Sequence, residues 1–306
     1  MSILVVGSVA FDSVKTPFGE VEDVLGGSAS YFSIAASFFS PVRLVAVVGE
    51  DFPPQHLKLF HDFSVDTQGL QKVSGKTFRW RGEYGFALNE ARTLETQLNV
   101  FEAFSPEIPE GYRDSKYVFL GNIDPELQRK VLEQVNKPEF VACDTMNFWI
   151  TTKPAELKET LALVDILIIN DSEARMLAGQ ANLTKAARNI SSWGPRIVVV
   201  KKGEYGVAMF TDGSIFGAPA FPLEEVFDPT GAGDSFAGGF VGYLAKAGRL
   251  DDEHLRKAVV YGSVMASFDV EEFSLNRLKK LKLPEIHERY RQFKELTHFE
   301  TDHTFK

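Results

Sequence analysis

The sequence predicts an α/β fold in which helices cover both faces of a parallel β-sheet. Short runs of β-branched and other apolar residues alternate along most of the chain with longer amphipathic stretches, which is the pattern of strands joined by helical crossovers. The 306 residues, 44% of them hydrophobic, are enough for a full hydrophobic core. No internal repeat, low-complexity tract or linker divides the chain. One α/β domain is therefore the expected architecture.

Strand-like and helix-like segments alternate over the first two-thirds of the chain. The predicted strands lie at 3–6, 43–48, 117–120, 140–142, 165–169 and 197–200. The predicted helices lie at about 29–39, 54–62, 125–135, 154–164, 172–178 and 183–193. After Phe227 the pattern is almost wholly helical, over about 235–247, 253–268 and 286–296. The last of these is interpreted as an ordinary amphipathic helix packed on the domain.

Two segments depart from this alternation. Segment 16–25 is too short and polar for a core helix, and segment 75–99 has the pattern of a strand and hairpin rich in aromatic and charged residues. Along that strand Phe78 and Trp80 fall on one face and Arg79 on the other. These segments predict a small sheet beside the main one, such as a lid over a cleft. A surface hairpin with no role is the alternative.

Charge and cysteine content argue against several classes of protein. The formal net charge of −9 disfavours a broad nucleic-acid-binding face. The only cysteine, Cys143, excludes an internal disulfide and favours a reducing compartment. The chain begins with apolar residues and no basic leader, and no apolar run approaches about 18 residues. Neither a signal peptide nor a membrane helix is expected, and the predicted location is the cytoplasm.

Several enzyme motifs are tested and fail. The segment from Gly69 to Thr77 looks like a P-loop, but it has one residue too many between its glycines and leads into a strand instead of a helix. No Gly-x-Gly-x-x-Gly follows the first strand, the six histidines lack zinc-ligand spacing, and no Gly-x-Ser-x-Gly occurs. P-loop, dinucleotide-binding, zinc and hydrolase interpretations are therefore disfavoured.

The strongest signal is the segment Asp228-Pro-Thr-Gly-Ala-Gly-Asp234, which runs directly into an apolar helical stretch. The backbone amides of 231–233 would point outward at a helix N-terminus, where unpaired donors and the helix dipole bind anions. Asp234 beside them would accept the proton of an attacking hydroxyl during phosphoryl transfer. The alternative is a glycine loop capped by Asp228 or Thr230, with Asp234 complementing the dipole.

Two weaker signals lie elsewhere. Near the start, Asp12 could accept hydrogen bonds from two hydroxyls, and the pair Gly26-Gly27 before a helix would let backbone approach a ligand. A simple turn is the alternative there. After the strand at 165–169, Asn170 and Glu173 would position water around Mg²⁺ and phosphates, or would form a helix capping box.

Together these segments resemble the PfkB/ribokinase family of carbohydrate and nucleoside kinases. DPTGAGDSFAGGF is similar to the C-terminal signature of that family and GGSASYFSIAAS to its N-terminal glycine-pair signature; IINDSEARMLAG and VVVKKGEYGV are similar to two segments between them, in the family order. The resemblance covers about 1–295. It implies a three-layer α/β/α ribokinase-like domain over about 1–300, with lid segments at about 13–25 and 75–99 and a tail at 301–306.

The resemblance also implies a reaction and a role for each matching residue. ATP with Mg²⁺ would phosphorylate a primary alcohol of a sugar or nucleoside. The catalytic base would be Asp234, with an anion hole of Gly231, Ala232 and Gly233. The acceptor-binding positions would be Asp12, Gly26, Gly27 and Tyr31. The nucleotide and its Mg²⁺, the latter through water on Glu173, would be held by Asn170, Glu173, Lys201, Gly203 and Gly206. A monovalent cation such as K⁺ would bind at Asp228 and Thr230, as in some members.

The sequence departs from the family pattern at two places. Tyr31 stands where many members carry an asparagine that contacts substrate hydroxyls. The segment CDTMNFWI replaces the commoner Asp-x-Asn-x-Arg, so an expected arginine is absent. Tyr31, Phe78 and Trp80 together could stack on a nucleobase, which would favour a nucleoside. Alternatively Phe78 and Trp80 form a lid core or a dimer contact, and the choice between sugar and nucleoside stays open.

Two further alternatives concern partners. The chain could be a non-catalytic sugar- or nucleoside-binding regulatory protein that keeps the fold, although an intact Asp234 beside an intact anion loop counts against this. The expected partner is a small molecule, with no nucleic acid and no membrane. An exposed aromatic strand in the lid could pair with that of a second copy, which leaves a homodimer through the lid open.

Overall fold

Residues 2–300 are described by a computed structural model, and they form two β-sheets and ten α-helices. The predicted tail at 301–306 lies outside the described residues. The strands are β1 (Ile3–Val6), β2 (Ala10–Thr16), β3 (Gly19–Gly26), β4 (Val42–Val48), β5 (Val65–Lys72), β6 (Phe78–Tyr84), β7 (Ala91–Gln97), β8 (Tyr117–Leu120), β9 (Phe140–Cys143), β10 (Ile166–Asn170), β11 (Ile197–Lys201), β12 (Val207–Thr211) and β13 (Ser214–Ala218). The helices are α1 (Ser28–Ser37), α2 (Pro54–Asp62), α3 (Pro125–Leu132), α4 (Asn147–Thr152), α5 (Pro154–Leu161), α6 (Asp171–Ala178), α7 (Leu183–Ser191), α8 (Ala232–Ala247), α9 (Asp252–Asp269) and α10 (Leu283–Thr297).

The large sheet has nine strands in the order β13-β12-β11-β10-β9-β8-β1-β4-β5. The strands from β11 through β5 are parallel, and β12 and β13 extend the sheet antiparallel. Along β1, Ile3 and Val5 enter one hydrophobic core while Leu4 and Val6 enter the other. Because successive side chains of a strand point to opposite faces, both faces of the sheet are buried. The predicted three-layer α/β/α architecture is confirmed.

The predicted strands and helices are all present. The six predicted strands differ from the observed ones by at most one residue at either end. Helix ends are less well predicted: α3 and α5 each end three residues before the predicted position. The reason is that Val135 and Val164 lie beyond the helix ends but pack against the core, so the apolar pattern continues past the last helical residue. Proline at the first helical position begins α2, α3 and α5.

Several elements were not predicted. Strands β2 and β5, the β12–β13 hairpin and helix α4 are missing from the sequence interpretation. The signal for the hairpin is Asp212-Gly213 between two alternating apolar runs, which is a standard two-residue hairpin turn. The P-loop-like segment begins inside β5 and leads to β6, so no phosphate-binding helix follows it. Within residues 2–300, no helix has the length and apolarity needed to cross a bilayer.

The small sheet has the order β3-β2-β6-β7 and lies beside the large one. Strands β2 and β3 form an antiparallel hairpin, and β2 pairs in parallel with β6. The two segments that broke the α/β alternation are therefore the two halves of one sheet. This bears out a small β-sheet next to the main fold and rules out an isolated surface hairpin.

Helix α8 is held close to its neighbours by glycines. A Cβ atom built on Gly238 would lie 2.6 Å from the carbonyl oxygen of Phe32 in α1, and one on Gly239 would lie 2.7 Å from that of Tyr261 in α9. Such distances leave no room for a side chain, so both neighbouring helices pack directly against the α8 backbone.

Candidate active site

Polar side chains gather where three adjacent parallel strands end. Asp144 follows β9, Asn170 ends β10 and Lys201 ends β11. The carboxyl ends of parallel strands meet at one edge of a sheet, which is where open α/β folds bind ligands. The Lys201 ammonium lies 3.9 Å from the Asp144 carboxylate. Burial alone would lower the pKa of Lys201, but Asp144, Glu173 and Asp234 raise it, so this ammonium stays charged.

The loop before α8 faces these strand ends. Gly231 caps the helix in a left-handed conformation with φ of 83°. The amide of Ala232 donates to the Pro229 carbonyl oxygen (3.2 Å), whereas the amides of Gly231 and Gly233 find no acceptor among residues 2–300. A Cβ atom on Gly233 would lie 2.7 Å from the Lys201 Nζ atom. Two free amides, the N-terminus of a sixteen-residue helix and the Lys201 ammonium therefore lie close together, an arrangement that would suit an anion.

Asp228 holds this loop in place. Its buried carboxylate accepts from the amide of Thr230 (2.9 Å) and from the amide of Ser274 (3.1 Å). Asp228 therefore holds the loop but does not cap α8, whose N-cap, Gly231, has no side-chain hydrogen bond. Beside it lies Asp269, another buried carboxylate, and burial followed by the charge of Asp228 raises the pKa of Asp269 well above its usual range.

Gly231→Ala is expected to destabilise the protein by at least about 2 kcal/mol, from left-handed strain and overpacking together. A Cβ atom there would lie 2.3 Å from the Tyr31 ring. Gly179→Ala is the matched control, because Gly179 also has a positive φ of 61° but no atom within 4 Å of the added Cβ. Denaturant unfolding of both variants measures the difference. A loss for Gly231→Ala no larger than that for Gly179→Ala would contradict the contact with Tyr31.

Asp234 lies in the first turn of α8 and is partly exposed at the end of the sheet. Burial and the nearby Asp144 raise its pKa to about 7, and the Lys201 ammonium opposes this rise. A carboxylate that titrates near neutral pH is well matched to proton transfer, since a general base works best with a pKa near the working pH.

Asn170 and Glu173 form the capping box that was the alternative interpretation. Asn170 Oδ1 accepts from the Glu173 amide and Glu173 Oε2 accepts from the Asn170 amide, both at 2.8 Å. The box leaves the side-chain amide of Asn170 and the second oxygen of Glu173 for other partners. Burial and Asp144 raise the pKa of Glu173 to about 7. Among residues 2–300 no group of three or more His, Cys, Asp or Glu side chains could hold a metal ion.

Asp12 approaches from the small sheet. Its buried carboxylate accepts from the Gly27 amide (3.3 Å), and a Cβ atom on Gly26 would lie 1.9 Å from Asp12 Oδ2. Gly27 has φ of 88°, and a Cβ there would lie 2.6 Å from the carbonyl oxygen of Ser8. The glycine pair therefore makes room for protein atoms, the Asp12 carboxylate and the Ser8 backbone. Burial raises the pKa of Asp12 to about 7.

The three aromatic residues of the predicted nucleobase stack each have a protein contact. Tyr31 is buried and lies against Gly231, the Phe78 ring stacks on Phe101 at 5.2 Å, and Trp80 Nε1 donates to Thr93 (3.2 Å). The contacts of Phe78 and Trp80 suit the alternative of a lid core, and the stack on a nucleobase stays a prediction.

Tyr84 is a site residue that sequence reasoning missed. It ends β6, and its hydroxyl accepts from the Thr230 hydroxyl in the anion loop (3.3 Å). Its position in the hairpin of the small sheet was predicted, but a contact between residues 146 positions apart in the chain has no local signal.

Gly203 and Gly206 lie in the turn after β11. Gly206 has φ of 84°, and a Cβ there would lie 2.2 Å from the carbonyl oxygen of Ala218. Gly203 has φ of 55°, and its Cβ would lie 2.2 Å from Asn89 Oδ1, on the hairpin of the small sheet. Both positions favour glycine, because φ is positive and an added Cβ would meet a neighbouring oxygen.

Comparison with known proteins identifies the family. A family model described as pfkB family carbohydrate kinase matches residues 2–280. The chain belongs to the pfkB family. This pfkB kinase is 31% identical over 264 residues to a cytidine kinase from Thermococcus kodakarensis, covering 82% of this chain and 91% of that protein. It is 24% identical over 320 residues to an inositol 3-kinase from Arabidopsis thaliana, covering 98% of this chain and 84% of that protein.

The fold of the pfkB kinase is similar to that of solved ribokinase-family structures. The crystal structure of Methanocaldococcus jannaschii nucleoside kinase matches it with a TM-score of 0.75 at 19% sequence identity, over 95% of this chain and 98% of that one. Family membership and the cytidine kinase relative make the protein a kinase, and the non-catalytic alternative is set aside. Membership of this family implies ATP as phosphate donor, usually with Mg²⁺, and a sugar or nucleoside as acceptor.

Proposed function

We propose that this kinase transfers the γ-phosphoryl group of ATP to a primary hydroxyl of an uncharged nucleoside, with Asp234 as the base. The observation that carries the proposal is a carboxylate with a pKa of about 7 in the first turn of the helix whose N-terminus presents free amides. Proton acceptor and anion site are thus adjacent, as in-line phosphoryl transfer requires.

Each residue of the site has a defined task in this mechanism. Asp234 accepts the proton of the attacking hydroxyl while the amides of Gly231 and Gly233 donate to the oxygens of the transferring group. Lys201, whose ammonium lies next to Gly233, neutralises charge on that group. The free oxygen of Glu173 suits a water ligand of Mg²⁺, which when bound screens the charge of the phosphates.

An uncharged acceptor is supported by the electrostatics around Asp12. The pKa of Asp12 is raised by burial, lowered by the Gly27 amide and raised by the charge of Asp228, so no basic group contributes to its shift. The phenol of Tyr84 on the same side is surrounded by Asp228, Asp12 and Asp269. A sugar phosphate or sugar acid would be repelled by these carboxylates, whereas hydroxyls can donate to them.

Four finer features of the proposal rest on separate observations. A nucleoside acceptor is supported by the cytidine kinase relative. A K⁺ ion near Asp228 and Thr230 is supported by the two buried carboxylates there, Asp228 and Asp269, whose pKa shifts involve no basic group. A homodimer through the small sheet is supported by β7, an edge strand whose residues are all exposed. The buried free thiol of Cys143 suits the reducing cytoplasm.

An acceptor screen tests the proposed function. ADP release from Mg-ATP is measured with cytidine, other nucleosides, ribose, deoxyribose, fructose and myo-inositol. Turnover with a nucleoside, and none with its 5′-deoxy derivative or its 5′-monophosphate, is expected. Turnover confined to free sugars or to inositol, the substrate class of the Arabidopsis relative, would refute the nucleoside part of the proposal.

Asp12→Asn is expected to raise the KM for the acceptor about tenfold or more at pH 8, because hydrogen bonds to a charged group are stronger than neutral ones. The KM for ATP should stay within about twofold, since Asp12 lies on the acceptor side. Glu20→Gln is the control, an exposed acidic residue on the neighbouring strand β3. Steady-state kinetics of the three proteins measure both constants. An unchanged acceptor KM in the Asp12 variant would contradict its role.

A further inference from the structure

The β6–β7 hairpin contacts both halves of the active site. At the end of β6, beside the hairpin loop at 85–90, Tyr84 bonds to Thr230 of the loop before α8. Within that hairpin loop Asn89 lies against Gly203, where a Cβ would come within 2.2 Å of the Asn89 Oδ1 atom. The first contact is with the loop before α8 and the second with the turn that follows Lys201. The loop end of one hairpin therefore contacts both of these segments of the site.

The backbone of the hairpin loop has an unusual conformation just before Asn89. Leu88 has φ of 54°, a left-handed conformation that is strained for a branched side chain. The Leu88 amide donates to the Gly85 carbonyl oxygen (3.1 Å), which closes the turn immediately before Asn89. Such strain persists where the surrounding structure or a ligand requires it. Here its effect is to turn the following side chain toward Gly203.

The Gly203 turn does not need Asn89 for its own stability. Lys202 donates to the Gly206 carbonyl oxygen (2.8 Å) and Gly206 donates to that of Gly203 (3.0 Å), so the turn is closed by its own backbone. Among residues 2–300 the Asn89 side chain has no hydrogen-bond partner, and Asn89 is exposed. Its amide group is consequently available to a ligand that lies along this turn.

We propose that Asn89 is a nucleotide-binding residue, which donates its side-chain amide to the phosphates of ATP from the tip of the small sheet. This inference rests on the proposed kinase mechanism, in which the phosphates lie between Lys201 and the amides of Gly231 and Gly233. Because the same hairpin bonds to Thr230 through Tyr84, the acceptor and the nucleotide each order a shared element. Their binding should then be mutually favourable, and by the same factor in both directions.

The test separates hydrogen bonding from packing. The dissociation constant of a non-hydrolysable ATP analogue with Mg²⁺ is measured by calorimetry for wild type, Asn89→Ala and Asn89→Asp. Asn89→Ala should weaken binding about tenfold. Asn89→Asp should weaken it further, because the isosteric carboxylate repels the phosphates. If Asn89 only packs against Gly203, the aspartate variant will bind like wild type, and the proposal fails.

Two more proteins complete the experiment. Leu94→Thr, on β7 away from the tip and half-exposed, is the control and should bind the analogue like wild type. Tyr84→Phe should lower the factor by which a saturating acceptor tightens nucleotide binding, from about fivefold or more to less than about twofold. A wild type that shows no turnover with any acceptor would overturn the proposed function. Normal turnover with an unchanged ATP affinity in Asn89→Asp would overturn this inference alone.

Discussion

Asp234→Asn is expected to lose about 10²- to 10⁴-fold of kcat, the usual contribution of a positioned general base. The amide is isosteric with the carboxyl but cannot accept the proton of the attacking hydroxyl. Binding of Mg-ATP should survive, because the amides of Gly231 and Gly233 and the Lys201 ammonium are unchanged. Steady-state kinetics and nucleotide titration measure the two properties separately. A near-wild-type kcat would refute the assignment of the base.

The same variant should be more stable than wild type at pH 8. Because the pKa of Asp234 is raised to about 7 in the folded protein from the model-peptide value of 3.8, the folded state binds more protons than the unfolded state between those pH values. Its stability contribution is therefore lost as pH rises through about 7. Asparagine carries no charge and removes this loss, so the melting temperature at pH 8 should rise, with little difference from wild type below pH 4.

Asp252→Asn is the matched control for that comparison. Asp252 also lies in the first turn of a helix, α9, but it is exposed and far from the proposed site in the fold. Its removal should lower the melting temperature slightly through the helix dipole and leave kcat unchanged. If Asp234→Asn behaves in the same way, Asp234 only complements the dipole of α8, which was the alternative interpretation of the sequence.

Lys201→Met is expected to lower kcat by about 10²- to 10³-fold, the effect of removing one preorganised charge-stabilising group. Methionine fills a similar volume without the ammonium, and three carboxylates, Asp144, Glu173 and Asp234, then lose their shared cation. Since Lys201 lowers the pKa of Asp234, the acid limb of the profile of kcat/KM against pH should move from about 7 to higher pH. Lys201→Arg should restore part of kcat by keeping the charge.

Lys202→Met serves as the control for Lys201→Met. It removes a lysine from the next position of the chain, beyond the end of β11 and outside the buried carboxylate group. Neither kcat nor the pH profile should change in this variant. An unchanged acid limb in Lys201→Met, measured over pH 5 to 9, would show that the ammonium does not act on Asp234.

Local patterns account for most of the fold that was predicted. The strand at 117–120 is found at its predicted bounds because four apolar residues in a row, bounded by turns, suit a strand buried on both faces. Strand β5, Val65–Lys72, lacks this pattern because it lies at the sheet edge and exposes polar residues. Its position is decided by its parallel pairing with β4, which is not a property of its own residues.

The candidate site also has one part that local spacing predicts and another that depends on tertiary contacts. Asp234 and the glycines before it form one short segment, so the helix start and the acid in its first turn were evident from their spacing, and the anion site there stays a prediction. The glycine pair Gly26-Gly27 is different. Its spacing suggested close approach to a ligand, whereas the structure shows the Asp12 carboxylate and the Ser8 backbone in that space.

By itself the sequence determined the alternation of strands and helices, the small second sheet, the family and the acid next to the anion loop, since each depends on residues a few positions apart. Only the tertiary structure decided which distant groups meet. Lys201 reaches Gly233 and Tyr84 reaches Thr230 because crossover connections bring separate strand ends to one edge of the sheet. These contacts between distant residues shift the pKa of each ionisable group in the site. Electrostatic interactions depend on distance in space and not on separation along the chain.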